Sequence, residues 1–161
     1  MRIMTDMATR KQLAEFLDWH HAHVGFDDPV KGLPPRLRGA VPTGFAHSAW
    51  QIVEHIRIAQ ADILEFCRSR TYREKQWPKD YWPVSAAPKN AAAWTTSLAA
   101  FRRDRKTAQR LTVDERVDLL ATVPNGSGQT YLRELLLIAD HTAYHVAQIV
   151  DLRRALGAWK P

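Results

Sequence analysis

His141 and His145 stand four residues apart near the end of the chain. On an α-helix that spacing is a rotation of roughly 40° and a rise of roughly 6 Å, so both imidazoles can converge on one point. Neutral imidazole nitrogen is a common ligand for divalent transition metals, and helical bundles build metal sites from inward side chains on different helices. A third ligand should therefore come from the apolar stripe of another helix. His55 fits, because Ile52, His55, Ala59, Ile63 and Phe66 step by three or four and share a face. On this reading Glu54, Arg57, Asp62, Glu65 and Arg68 fall mostly elsewhere. The remaining histidines are His20, His21, His23 and His47, of which His20 and His47 are the serious competitors. The alternative for each is a hydrogen-bonded core histidine. Three neutral rings buried together without a cation would leave ring nitrogens in want of partners, at about 1 to 3 kcal/mol each.

Four segments with helical period must position these side chains. The first is expected from about Thr9 to His23, with Leu13, Phe16, Leu17 and His20 on one face. A connector from Val24 to His47, carrying four prolines and four glycines, should be irregular. The second helix should start at Ser48, whose hydroxyl caps backbone donors while Gln51 reaches back, and continue to about Ser69. The aromatic, proline-containing segment TYREKQWPKDYWPVSAAPKN follows, at residues 71–90. It is longer than an ordinary connection, and reads either as a functional loop or as a packed cover over the end of the core. A third helix from about Ala91 to Leu111 turns Trp94, Leu98 and Phe101 to the core. After the breaker cluster Pro124 to Gly128, the fourth runs from a Thr130 cap to about Leu156, closed by Gly157.

The sequences SAWQIVEHIRIAQADILEF around His55 and HTAYHVAQIVDLRRALGAW from His141 onward resemble the DinB/YfiT-like superfamily of helical-bundle metalloenzymes. The WPKDYWP loop and the LRR and LG tail extend the likeness over nearly the whole chain. The resemblance implies an all-α, up-down-down-up four-helix bundle with long connecting loops, often dimeric, with a divalent ion held by His55, His141 and His145. Many members place Gly before the Gln of HxxxHxxQ, where Ala147 stands here, a replacement that a helix favours. The superfamily includes thiol-dependent transferases and a maleylpyruvate isomerase, although no residue here singles out a thiol or a substrate. The expected protein is thus a metal-dependent enzyme of the DinB type, its His triad activating a low-molecular-weight thiol or water toward a small electrophile. The alternative is a non-catalytic metal-binding or stress-related bundle.

Nitrogen ligands suit zinc, nickel, copper or iron better than magnesium or calcium. Among cofactors, Zn, Ni or Fe are expected, with a thiol as a possible companion. Asp140, Glu54 and Gln148 are candidates to accept the second N–H of a ligating ring, the two acids reading more simply as surface pairing. Tyr144 could face the site as a proton donor or sit at the edge of the core. Cys67 reads as a small buried hydrophobe.

The chain has 161 residues, 45% hydrophobic and 25% charged, the balance of one ordinary globular domain over 1–161. No apolar stretch approaches the roughly 18 residues of a membrane span, and the N-terminus lacks a signal-peptide core. With a single cysteine, the expected location is the cytoplasm. The net charge of +6 raises nucleic acid as a partner. The only dense basic stretch, Arg102, Arg103, Arg105, Lys106 and Arg110, reads first as a solvated helix face, which makes nucleic acid the weaker reading. The expected partners are a small substrate and a second copy of the chain, with no membrane.

Overall fold

The computed structural model describes residues 7–18 and 22–159. In them the chain forms α1 (Met7–Phe16), the short α2 (Asp27–Val30), a 3-10 turn (Pro35–Leu37), α3 (Ala49–Arg68), α4 (Ala91–Val113) and α5 (Tyr131–Ala155). No strand forms among the described residues; Thr122 and Thr130 make one isolated bridge. The architecture is all-helical, as the periodicity predicts.

Side-chain pairings fix the helix directions. Arg10 donates to the carbonyls of Thr112 and Asp114, and Ala14 accepts from Gln109, so α1 and α4 are antiparallel. Gln60 donates to the Phe101 carbonyl while Ser97 meets Glu54 and Trp50 faces Trp94, so α3 and α4 are parallel. Asn125, just ahead of α5, binds the carbonyls of Phe66 and Ser69, while His55 meets His141 further along; α3 and α5 are therefore antiparallel. The order is up-down-down-up. A parallel neighbour obliges the chain to travel back along α3, whose 20 residues span roughly 30 Å, and residues 69–90 make that return.

Helix boundaries follow their caps. At α3 Ser48 Oγ accepts from the Gln51 amide at 3.2 Å and Gln51 Oε1 accepts from the Ser48 amide at 3.1 Å, the reciprocal pair expected from sequence. Asn90 caps α4 and Thr130 caps α5. Gly157 adopts φ 65° just beyond α5, in the left-handed region where glycine is least strained. The first helix is shorter than expected. It ends at Phe16, where the chain turns so that Asp18 meets the Arg105 guanidinium at 2.6 Å. Leu13 and Leu17 pack inward and Phe16 is exposed. His20 and His21 lie outside the described residues.

Two apolar clusters fill the bundle. One gathers Phe26, Val30, Ile52, Val53, Trp94, Phe101, Val146 and Ile149; the other gathers Leu13, Leu64, Ala108, Leu119, Leu135 and Ile138. His141 and His145 lie on α5 between Ile138 and Val146, at the level where the clusters meet. The connector is more ordered than its prolines and glycines suggest. Buried Arg153 clamps it by donating to the carbonyls of Pro29 and Lys31, and Phe26 stacks on Phe101. At Gly39 a Cβ would fall 2.5 Å from the Ala87 Cβ, so this close approach of connector and return loop requires glycine.

The basic stretch of α4 is not a solvated face throughout. Arg105 is buried, with Asp18 at 2.6 Å and Asp27 at 3.1 Å, and Arg102 pairs with Asp27 at 2.6 Å. Burial of a guanidinium requires such partners. Part of the positive charge thus fastens the connector to the bundle.

Candidate metal centre

His55 is 2% exposed on α3, and the turn of α5 carrying His141 and His145 packs across from it. The three ring centroids lie 4.9 Å (His55 to His141), 4.6 Å (His55 to His145) and 4.5 Å (His141 to His145) apart. One nitrogen from each ring lies within 4.8 Å of the other two. This is the only group of three or more His, Cys, Asp or Glu side chains with such spacing among the described residues. The residues singled out from helical spacing are thus brought together. The competitor His47 instead stacks on Trp82 at 3.8 Å, and His23 is exposed.

Hydrogen bonds orient two rings. His55 Nδ1 lies 3.1 Å from the Tyr81 carbonyl, an obligatory acceptor, so Nδ1 carries the proton and Nε2 presents its lone pair. His145 Nδ1 donates to Gln148 Oε1 at 2.7 Å, which likewise frees Nε2. His55 Nε2 and His141 Nε2 are 3.0 Å apart. Two nitrogens each ~2.1 Å from one ion subtend that distance at roughly a right angle. Without an ion the same contact requires a proton on His141 Nε2, since the proton of His55 is on the other side of its ring. The donor set therefore fits a divalent transition ion: the outer N–H groups of His55 and His145 are already satisfied, which leaves their Nε2 lone pairs for an ion.

Electrostatics keep the rings neutral. Burial pushes His55 down to about 4 against the opposing pull of the Tyr81 carbonyl, and His145 and His47 push the same way. Burial, then the neighbouring His145 and His55, pushes His141 down to about 4. His145 is also lowered by burial, against its bond to Gln148. Neutral imidazole is the form that ligates, so no proton need be displaced at pH 7.

The return loop covers the site. Trp82 stacks on His55 with centroids 3.8 Å apart and planes 4° apart, and His47 covers its other face, so the indole is held between two imidazoles. Trp77 meets His55 edge-on at 6.2 Å and is 67% exposed. Tyr144 is 64% exposed and meets His145 edge-on at 4.9 Å, so it belongs to the surface beside the site and not to the core edge. The loop packs over α3 as a cover, and in doing so it contacts His55 of the triad directly.

Of the three candidate acceptors for ring N–H groups, only Gln148 is placed so. Glu54 is taken by Arg57 at 2.8 Å and by Ser97, and Asp140 is exposed. Cys67 is buried and its thiol is pushed up to about 12 by burial and then by Glu134, in keeping with an inert hydrophobe. Asp62 is the residue that sequence reading misplaced. Assigned to the polar face, it is 6% exposed and receives hydroxyl hydrogen bonds from Tyr81 at 2.6 Å and Tyr72 at 3.3 Å. The available signal was its position seven residues past His55, which returns to nearly the same face after two turns.

An all-helical bundle with three convergent histidines on two antiparallel helices is thus defined by geometry alone. The sequence model of the DinB superfamily matches residues 19–149, and the chain belongs to that superfamily. No curated protein sequence matches the chain, and no solved structure does. Membership and triad together fit a metal-binding protein. No helix among the described residues is long and apolar enough to cross a membrane.

Proposed function

We propose that the protein is a divalent-metal-dependent enzyme, in which a zinc, nickel or iron ion held by His55, His141 and His145 would acidify a thiol or water for attack on a small electrophile at neutral pH. The supporting observation is the donor set. Three neutral nitrogens face one point, and a three-ligand site leaves room for a small molecule to coordinate, as catalytic sites do and closed structural sites do not.

The chain's own residues then have separable tasks. Tyr81 and Gln148 hold the rings of His55 and His145 in the ligating tautomer. Trp82 shields one face of His55 from water. Trp77 and Tyr144 expose apolar ring surface beside the triad, where a small substrate would be met. Glu54, committed to Arg57 and Ser97, is not free to take a proton, so the proton lost by the nucleophile passes to solvent.

Metal content of protein purified without a polyhistidine tag, compared with His141→Ala, tests the foundation. About one ion per chain, falling sharply in the variant, is expected; equal, near-zero content in both overturns the reading. Turnover of electrophilic substrates with low-molecular-weight thiols then separates an enzyme from a non-catalytic metal-binding bundle.

A further inference from the structure

We infer that Asp62 is a positioning residue for the His triad, acting through Tyr81, and that the Tyr81 side chain is a strut along α3 that sets the tautomer of His55. This rests on the metal-binding reading of the site. Asp62 and His55 share a face of α3 two turns apart, roughly 10 Å along the axis. Tyr81 spans that interval. Its phenol donates to Asp62 Oδ2 at 2.6 Å while its backbone carbonyl accepts from His55 Nδ1 at 3.1 Å. One residue therefore touches α3 at both levels, and fixing its far end fixes the carbonyl that orients the ring.

The strut is braced from its own loop. Gln76 donates its amide to Asp80 Oδ2 at 2.8 Å, Asp80 donates back to the Gln76 carbonyl at 2.9 Å, and the Tyr81 amide donates to the Pro78 carbonyl at 3.1 Å. The loop thus has local order and further ties to α3, the Trp82 stack on His55 and the Gln51 side chain, which donates to the Pro83 carbonyl at 3.1 Å; Asp62 holds the far end of Tyr81. The other Asp62 oxygen faces the Lys75 ammonium at 3.7 Å, a second tie from the same loop. A buried carboxylate receiving two hydroxyls is costly to retain unless paired, and charge-assisted O–H···O⁻ bonds are among the stronger ones. Tyr72 provides an internal contrast: it also donates to Asp62, at 3.3 Å, yet its backbone does not hold a ring of the triad.

Tyr81→Phe, Asp62→Asn and Tyr72→Phe are compared with the wild-type chain by two readouts. In metal-free protein, 15N–1H correlation of the imidazoles reports the His55 tautomer; with Zn2+ alone, chelator competition reports affinity. Direct acceptors to ligating histidines change metal affinity by about 10- to 100-fold, and a group one bond further removed should lie at the low end. Tyr81→Phe and Asp62→Asn are expected to lower zinc affinity about tenfold and to abolish the single Nδ1–H tautomer of His55, with Tyr72→Phe within about twofold of wild type. Retention of both tautomer and affinity in Tyr81→Phe overturns the inference, as does an equal loss in Tyr72→Phe, which would signify generic loop packing. Should the wild-type chain take up no zinc, the metal reading falls, and the tautomer alone decides: lost in Tyr81→Phe it supports the strut, kept it refutes it. Should Asp62→Asn fail to fold, Tyr81→Phe, which removes one oxygen, carries the test.

Discussion

Replacing Gln148 with Leu removes the acceptor for His145 Nδ1–H while roughly preserving side-chain bulk. His145 is buried, so the stranded N–H costs about 1–3 kcal/mol wherever it must be kept. The cost falls unequally on the two states. With a metal on Nε2 the remaining proton is obliged to sit on Nδ1, facing Leu, whereas in metal-free protein His145 escapes by moving its proton to Nε2. Nearly the whole penalty therefore appears as lost metal affinity, and about 1–3 kcal/mol corresponds to about 5- to 150-fold. Chelator competition with Zn2+ at neutral pH measures this directly, with urea unfolding of the metal-free proteins as the control. Gln148→Glu offers a stronger acceptor and should tighten binding instead. Zinc binding by Gln148→Leu within twofold of wild type would contradict this coupling, as would a loss matched by an equal fall in metal-free stability.

Two further perturbations test the frame that carries the site. Burial alone would raise the Asp27 carboxyl, but its hydrogen bonds and charge pairing with Arg102 and Arg105 hold it below the ordinary 3.8. A carboxylate depressed in the native state stabilises fully above its unfolded value and loses that contribution as pH falls through the native one. Asp27→Asn should thus be less stable than wild type at pH 7, the difference shrinking once pH drops below about 4; a gap in urea midpoints that stays constant to pH 3 contradicts this. At the connector, Gly39→Ala places a Cβ 2.5 Å from the Ala87 Cβ, 2.9 Å from its Cα and 3.2 Å from the Ala86 carbonyl oxygen. Overpacking of this kind costs about 1–3 kcal/mol, and an unchanged unfolding midpoint would show that the return loop yields freely.

What was legible in the sequence was what local geometry determines. Ser48 with Gln51, and Thr130 with Gly157, mark helix ends because capping is settled within a few residues. His55, His141 and His145 could be brought together on paper because each lies on the inward stripe of a long helix, and inward stripes of a bundle meet. Arg105 and Asp62 were misread because charged side chains are assigned outward by default, and only the paths of distant segments supply their partners. Asp18 and Asp27 reach Arg105 from the N-terminal region, while Tyr72 and Tyr81 reach Asp62 from the return loop. The sandwich of Trp82 between His47 and His55 was invisible for the same reason: a loop rich in proline has no period from which to project a ring. The early end of α1 likewise depends on a tertiary contact, that of Asp18 with α4.

The proposed function requires three ring nitrogens to share one cation. Crystals of untagged protein grown with Zn2+ and measured on both sides of the zinc absorption edge address that claim most directly. An anomalous peak about 2.0–2.1 Å from Nε2 of His55, His141 and His145 together is predicted. A cluster without a peak, its rings bound only to one another and to Tyr81 and Gln148, would contradict it.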